Sequence, residues 1–376
     1  MNVGHLDRER LKGILESIRS VRAAVIGDIC LDAYWYADMT KSRLSRETPH
    51  FPYPIVREAM SPGAGGNVAC NLAALKPRSV RLLSVIGRDW RGDMLVQSLE
   101  DRAVDTRLMI RDPERVTGAY IKPMLKGTSD TVYEAPRLDF ENTLPLSPAS
   151  EDALIRSLEE IAAECDVICV CDQMSNGCVT PRVIEKLNAI GAQGRIVIAD
   201  SRERITRFRH VIVKPNDLEL RVAVGLDGSI AEAALKLSAL TGGLSVVTTG
   251  EDGCLVSDGE SVCPVATRPA TPPIDIVGAG DAFLSAFACC FAAGADATEA
   301  AQVANLASYV TIHKIGTTGT ASPEEIMYGI IVQYRISKLF LDILILLFAT
   351  RTVPSRYGGF RALRCWSCFS APGNIW

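Results

Sequence analysis

The sequence predicts an α/β fold of three layers: a mainly parallel central sheet with helices on both faces, accompanied by a smaller β region. Three observations carry this. Short apolar runs alternate with helical stretches of ten or more residues along most of the 376-residue chain. The runs are apolar at consecutive positions, as in RAAVIGD (22–28) and CDVICVCD (165–172), which is how strands read when both faces are covered. A polar or small residue closes five of them, namely Asp28, Asp172, Asp200, Asn216 and Gly250. These are carboxyl ends of strands, where open parallel sheets hold their ligands.

The elements follow in order. MNVGHLDRERLKGILESIRS is a charged amphipathic helix and lacks the apolar core of a signal peptide. RAAVIGD (22–28) is a buried strand, GNVACNLAAL (66–75) an Ala- and Leu-rich helix, VRLLSVIG (80–87) a second strand and DMLVQSLEDR (93–102) a helix. Residues 104–135 are β-like, with alternation in TGAYIKPML, and 148–163 form a helix that Ser150 or Asp152 can cap. Then come the strand 165–172, the helix PRVIEKLNAIG (181–191), and the strands RIVIADS (195–201) and HVIVKPN (210–216). The helix AEAALKLSALTG (231–242), the strand LSVVTTG (244–250), and two helices, 280–294 and 297–313, complete the pattern. No internal repeat or low-complexity linker interrupts it before about residue 328.

Composition excludes several classes. Lys and Arg total 40 against 44 Asp and Glu, a net charge of −4, which argues against a protein that coats nucleic acid. With 48% apolar residues the chain is not disordered as a whole. The twelve Cys lie mostly in apolar runs, such as Cys169, Cys171, Cys289 and Cys290, as buried thiols do in a reduced compartment. A cytoplasmic protein with no nucleic-acid and no membrane partner is the expectation. Cys365-x-x-Cys368 has metal or redox spacing, but neither a second pair nor a nearby His. Gly63-Ala-Gly65-Gly66 opens like a dinucleotide fingerprint, yet Val68 takes the last glycine's place and Pro62 precedes it. No G-x-x-x-x-G-K-[ST] phosphate loop is present.

The segment DIVGAGDAFLS (275–285) carries the sharpest chemistry. Gly278, Ala279 and Gly280 precede a strongly apolar helix, whose free N–H groups and dipole make an anion site. Asp281 falls in the first turn, where a carboxylate can take a proton from a hydroxyl while the amides hold a transferring phosphoryl group. From spacing alone, a plain acidic residue at a helix start fits equally well.

GAGDAF resembles the C-terminal signature of the ribokinase-like (PfkB) carbohydrate kinases. Pro62-Gly-Ala-Gly-Gly-Asn67-Val-Ala resembles their N-terminal signature, Asn216-Asp-Leu-Glu219 their N-x-x-E motif, and Thr249-Gly250-Glu-Asp-Gly253 their nucleotide loop. The four motifs stand in family order and cover about residues 20–325. The resemblance implies a ribokinase-like fold with a β lid, here from about 34–60 and 104–135, in one domain spanning 1–328. It implies ATP and Mg²⁺ as cofactors and Asp281 as the base, with Gly278, Ala279 and Gly280 as anion hole. Asn216 and Glu219 would organise Mg²⁺ through water, or serve simply as a helix cap and early acid. Lys214, Thr249, Gly250, Gly253 and Asn305 would meet ATP. Asp275 and Ile276 resemble carbonyl donors of a K⁺ site, where Val277 stands in place of a common Thr. Dimers formed through the lid are common in such folds.

Finer segments resemble heptose-7-phosphate kinases: Gly27-Asp28-Ile-Cys-Leu-Asp32-Ala-Tyr-Trp-Tyr, Ser45-Arg-Glu-Thr-Pro49, Arg137-Leu-Asp139-Phe-Glu141, and the run from Ala199-Asp200 to Lys214-Pro-Asn216. Arg46, His50 and Ser201-Arg202 depart from that pattern. The implied acceptor is a sugar or sugar phosphate. Asp28, Asp32, Gly65, Gly66 and Asn67 would surround its hydroxyls, and Arg137, Arg43 or Lys122 would hold its phosphate; each cation also reads as a solvated surface charge. A kinase for ribose, fructose or adenosine, or a non-catalytic binding protein of the same fold, remains the alternative. The four His (5, 50, 210 and 313) contain no His-x-x-His pair, so a heptose enzyme here would be the kinase alone. Residues 329–376 shift in composition. KLFLDILILLFATRTVPSRYGGF (338–360) has an apolar stretch too short to span a membrane and resembles the start of GT-B glycosyltransferases. The tail reads as a truncated or frame-shifted fusion remnant.

Overall fold

The computed structural model describes residues 6–225, 228–316 and 318–329. In chain order the first half contains α1 (Arg8–Ser17), β1 (Arg22–Gly27), β2 (Ile29–Asp38), β3 (Ile55–Ala64), α2 (Gly65–Ala74), β4 (Ser79–Leu83), β5 (Val85–Gly87), α3 (Trp90–Glu100), β6 (Ile110–Asp112), β7 (Gly118–Lys126), β8 (Val132–Glu134), β9 (Leu138–Phe140) and α4 (Pro148–Glu164). The second half contains β10 (Val167–Asp172), α5 (Pro181–Ala192), β11 (Ile196–Ser201), β12 (Ile212–Val213), α6 (Asp217–Val224), α7 (Ile230–Thr241), β13 (Ser245–Thr248), β14 (Cys254–Ser257), β15 (Val262–Val265), α8 (Ala279–Ala292) and α9 (Ala297–Ile312). All described residues fall in one unit, Met1–Ile330.

The main sheet runs β15-β14-β13-β12-β11-β10-β1-β4. From β4 to β13 neighbouring strands are parallel, and β14 and β15 add an antiparallel edge. Strand residues alternate between two covered faces, which is why the strands read as unbroken apolar runs. On one face Ala24, Ile26, Val170 and Ala199 join a core with Leu154 and Leu158 of α4, Leu187 of α5, Leu220 of α6 and Leu237 of α7. On the other, α2 and α8 pack over β1, β4, β10 and β11, with α9 against α8. Each fully buried Val, Leu or Ile is worth about 1.5–3 kcal/mol.

A second sheet, β3-β2-β7-β8 with β9 on β7, forms the lid. It differs from expectation at both ends. It starts at Ile29 and reaches Phe140, while β6 leaves it to pair in parallel with β5. The predicted strand 80–87 breaks at Ser84, whose hydroxyl donates to Gly27 O (2.6 Å). The predicted strand 210–216 shrinks to Ile212–Val213, because Asn216 turns away to cap α6. Ser147, not Ser150 or Asp152, caps α4. The hairpin β14–β15 had no expectation. Among the described residues, ten cysteines are buried free thiols. Among the described residues no helix is long and apolar enough to cross a membrane. Residues 330–376, nearly all of the tail read as a fusion remnant, lie outside the described residues, as do Cys365 and Cys368.

Candidate active site

Asp281 lies in the first turn of α8, and its side chain is half-buried. Gly278 caps the helix at φ 80°, a left-handed backbone that glycine adopts without strain. A Cβ at Gly278 would come within 2.8 Å of Asn67 Nδ2, so the position excludes a side chain twice over. Ala279 N donates to Ile276 O (3.2 Å). Among the described residues the amides of Gly280 and Asp281 have no acceptor, as expected in a helix's first turn. Gly280 is exposed, and Lys214 Nζ lies 3.8 Å from where its Cβ would stand. The helix start therefore offers open donors, a dipole and a nearby cation to an anion.

Burial pushes the Asp281 carboxyl up to about 6; a hydrogen bond from Asn67 opposes this, the Asp200 charge adds to it, and Lys214 draws it back. Asn67 Nδ2 donates to Asp281 Oδ2 at 2.6 Å. Asn71, one turn on, donates to Asn67 O (3.0 Å) and Oδ1 (3.2 Å), which fixes the amide's orientation. Asn67, expected to hold a sugar hydroxyl, instead positions the carboxylate. A carboxylate that titrates near neutrality is poised for proton transfer.

Beside it, at the ends of β11 and β12, Lys214 Nζ pairs with Asp200 Oδ2 at 2.9 Å, both nearly buried. Burial works against the Lys214 charge, but Asp200, Glu219 and Asp281 outweigh it and hold the ammonium above its ordinary value. Asn216 and Glu219 form a reciprocal cap: Glu219 N donates to Asn216 Oδ1 (2.8 Å) and Asn216 N to Glu219 Oε2 (2.9 Å). Burial raises the Glu219 carboxyl. The cap is real, and it leaves the second Glu219 oxygen outside these bonds. Among the described residues no group of three His, Cys, Asp or Glu forms a metal cage.

On the lid side, Asp32 of β2 stands over Gly63, where a Cβ would meet its Oδ2 at 2.5 Å. Burial raises its carboxyl against the pull of Lys122 and Arg137, and among the described residues its carboxylate is left without a donor. Both oxygens of Asp28, by contrast, are taken up by three amides of the loop after β10, those of Gln173 (2.9 Å), Met174 (2.7 Å) and Cys178 (2.7 Å). It is a loop lock rather than a sugar ligand.

Gly65 and Gly66 are buried packing residues. Gly65 N donates to Asp28 O (2.9 Å), and a Cβ on Gly66 would meet Pro62 Cβ at 2.8 Å. Gly65 brings the start of α2 close to Asp28 and Cys171 at the ends of β1 and β10, and Gly66 lets it pack on β3 and α3. Arg137, expected to hold the substrate phosphate, is bound in bidentate fashion to Asp139 (2.6 and 2.7 Å) over the Tyr120 ring. Lys122 donates to Tyr34 Oη (3.2 Å).

At the nucleotide loop, Thr249 N donates to Gly253 O (2.9 Å). Gly250 (φ 63°) has open space around its missing Cβ, which suits a flat ligand lying against the backbone. Gly253 is required by the turn itself, since a Cβ there would collide with Val265 O. Asn305 is buried and donates to Val265 O (3.0 Å). It clasps α9 to β15, which corrects the expectation that it meets adenine. The Asp275 carboxylate accepts from Val277 N (3.1 Å) and Gly316 N (3.3 Å). Sequence reasoning missed Asn71, which no local pattern announced, and marked Asp200 only as a strand end and as part of a segment that resembles heptose-7-phosphate kinases.

The family described as pfkB family carbohydrate kinase matches residues 57–325, and the chain belongs to it. The protein is thus a phosphotransferase acting on a sugar. It is 30% identical over 341 residues to the Bifunctional protein HldE of Trichlorobacter lovleyi, covering 88% of this chain and 67% of that protein. The chain spans about two thirds of the length of the curated relatives it matches. Two solved structures share the fold. Arabidopsis thaliana ribokinase complexed with ribose and ATP has a TM-score of 0.60 at 18% identity, covering 82% of this chain and 98% of that one. Phosphofructokinase-2 from Escherichia coli in complex with substrates and products has a TM-score of 0.63 at 21% identity, with the same coverage of 82% and 98%.

Proposed function

We propose that this kinase transfers the γ-phosphoryl group of ATP to the anomeric hydroxyl of a heptose 7-phosphate, yielding heptose 1,7-bisphosphate and ADP. The observation that carries the reaction is Asp281: a carboxylate lifted to about 6, held by Asn67, beside open helix amides and the Lys214 ammonium. In this reading Asp281 takes the hydroxyl proton as the sugar oxygen bonds to the γ-phosphorus and the bond to the ADP oxygen breaks. The Gly280 and Asp281 amides, the helix dipole and Lys214 face the charge that develops on the transferring group. Asp32 holds a sugar hydroxyl on the lid side. Thr249 and Gly250 lie along the nucleotide, and lid closure keeps water from competing with the sugar.

Glu219 and, through its cap, Asn216 would hold Mg²⁺ by way of water. One carboxylate oxygen without a closed cage fits an ion that keeps its waters and takes other ligands from phosphates. Bound there, Mg²⁺ would neutralise phosphate charge. The heptose acceptor is supported by the segments around Asp32, Asp139 and Asp200 that resemble heptose-7-phosphate kinases, and by relatives named HldE at about 30% identity.

ADP release with Mg-ATP against heptose 7-phosphate, ribose, fructose, fructose 6-phosphate and adenosine tests the reading. The highest kcat/KM is expected for heptose 7-phosphate, with ³¹P NMR placing the new phosphate on the anomeric oxygen. A higher kcat/KM for any other acceptor rejects the heptose assignment. Running the assay in K⁺ and in Na⁺ tests the monovalent-cation site at Asp275.

A further inference from the structure

We infer that Arg202 grips the phosphate already carried by the acceptor and so sets the preference for a phosphorylated over a free sugar. The inference rests on the reading of the acceptor as a sugar phosphate. Arg202 follows the last residue of β11, and its amide donates to Asp172 O at 3.1 Å. It lines a small open cleft together with Asp172, Gln173, Met174, Ser175, Glu203 and Arg204. The cleft touches the lid: Met174 Cε lies 3.2 Å from where a Cβ on Gly118, the first residue of β7, would stand.

The neighbouring cations already have partners. Arg204 chelates Asp172, with Nε 3.0 Å from Oδ2, and Ser201 Oγ donates to the same carboxylate at 2.6 Å. Lys214 is bound to Asp200, Arg137 to Asp139 and Lys122 to Tyr34. Arg202 is exposed, and among the described residues its guanidinium has no acceptor and no aromatic ring. Its charge is nonetheless felt by Cys30 and Tyr120 on the lid strands and by Glu219 on the nucleotide rim. Met174, which lines the same cleft, lies against Gly118 of β7, so Arg202 stands where the lid meets the main sheet, beside the acceptor in this reading.

Arg204 neutralises Asp172, the buried carboxylate of the cleft, and Glu203 on the rim is exposed. Ser175 and Gln173 add neutral polar groups. A planar, permanently charged fork with free donors, beside a neutralised carboxylate, suits a phosphate dianion.

The test compares wild type with Arg202→Ala and Arg202→Lys on matched pairs of phosphorylated and free sugar, heptose 7-phosphate with heptose and fructose 6-phosphate with fructose. KM for ATP is measured alongside. Loss of a charge-assisted grip lowers the phosphorylated-to-free ratio of kcat/KM by roughly 10- to 100-fold in Arg202→Ala. Arg202→Lys recovers part of it, and KM for ATP does not rise in step. Arg202 is exposed, so the fold survives the change. If wild type prefers the phosphorylated sugar and Arg202→Ala keeps that preference, the inference fails while the sugar-phosphate reading stands. A rise confined to KM for ATP reassigns Arg202 to the nucleotide and also overturns it. If wild type shows no preference, the sugar-phosphate reading itself falls, and the inference with it.

Discussion

Replacing Asn67 with alanine changes when Asp281 can act. The Asn67 amide donates to Asp281 Oδ2 at 2.6 Å and pulls down a carboxyl that burial holds at about 6. A hydrogen bond to a charged group is worth about 1.5–3 kcal/mol, and each pH unit corresponds to about 1.4 kcal/mol. Asp281 is half-buried, so the lower end applies. The variant's acid limb should move up by about one pH unit. The sign is fixed: the bond favours the ionised form, so losing it raises the pKa, and the active carboxylate appears only at higher pH. Asn71 keeps its bond to Asn67 O, so the helix retains its local anchor. The assay is kcat/KM against pH from about 5 to 9, with circular dichroism to confirm folding. The titration part of the loss vanishes by about pH 9 and leaves only the cost of a less well-oriented base. A limb that stays near 6, or moves to lower pH, refutes Asn67 as the residue that tunes Asp281.

Three further outcomes follow from the same geometry. Asp281 has a folded pKa above its ordinary 3.8, so its stabilising contribution is present at low pH and lost as pH rises from about 4 to 6. Asp281→Asn should therefore raise Tm at pH 7.5, with an upper bound of about 3 kcal/mol, and an unchanged or lower Tm contradicts this. Asp28→Ala orphans the buried Cys178 amide and the half-buried amides of Gln173 and Met174, at up to about 1–3 kcal/mol each, and should lower Tm, whereas an unchanged Tm with a raised sugar KM would restore Asp28 as a sugar ligand. Lys214→Met strands buried Asp200 and should cost about 3–5 kcal/mol in denaturant unfolding. Adding Asp200→Leu should recover stability without activity, and recovery of both would remove the pair from the site.

Much of the fold was legible because both faces of the main sheet are covered. β1, β10 and β11 read as continuous apolar runs, and the helices between them as stretches of ten or more residues. The lid was less legible. β3 is largely exposed and carries no strong apolar period, and β6 pairs with β5, a partner no local pattern announces. At the site, the stretch Gly278–Asp281 was readable because a helix start declares its donors in sequence. The roles of Asp28, Asn67 and Asn305 were not, since each is set by a partner between 40 and 214 residues away. A buried polar residue at a strand end looks the same whether it holds a ligand or a loop. The pairing of Arg137 with Asp139, two residues on, was not anticipated either.

The central claim is that Asp281 accepts the proton from the sugar hydroxyl. Steady-state turnover of Asp281→Asn beside wild type, with saturating Mg-ATP and the best acceptor from the panel, tests it most directly. The account predicts a fall in kcat of about 10²–10⁴ in a protein that is folded and still binds ATP. A variant that turns over within tenfold of wild type would contradict it.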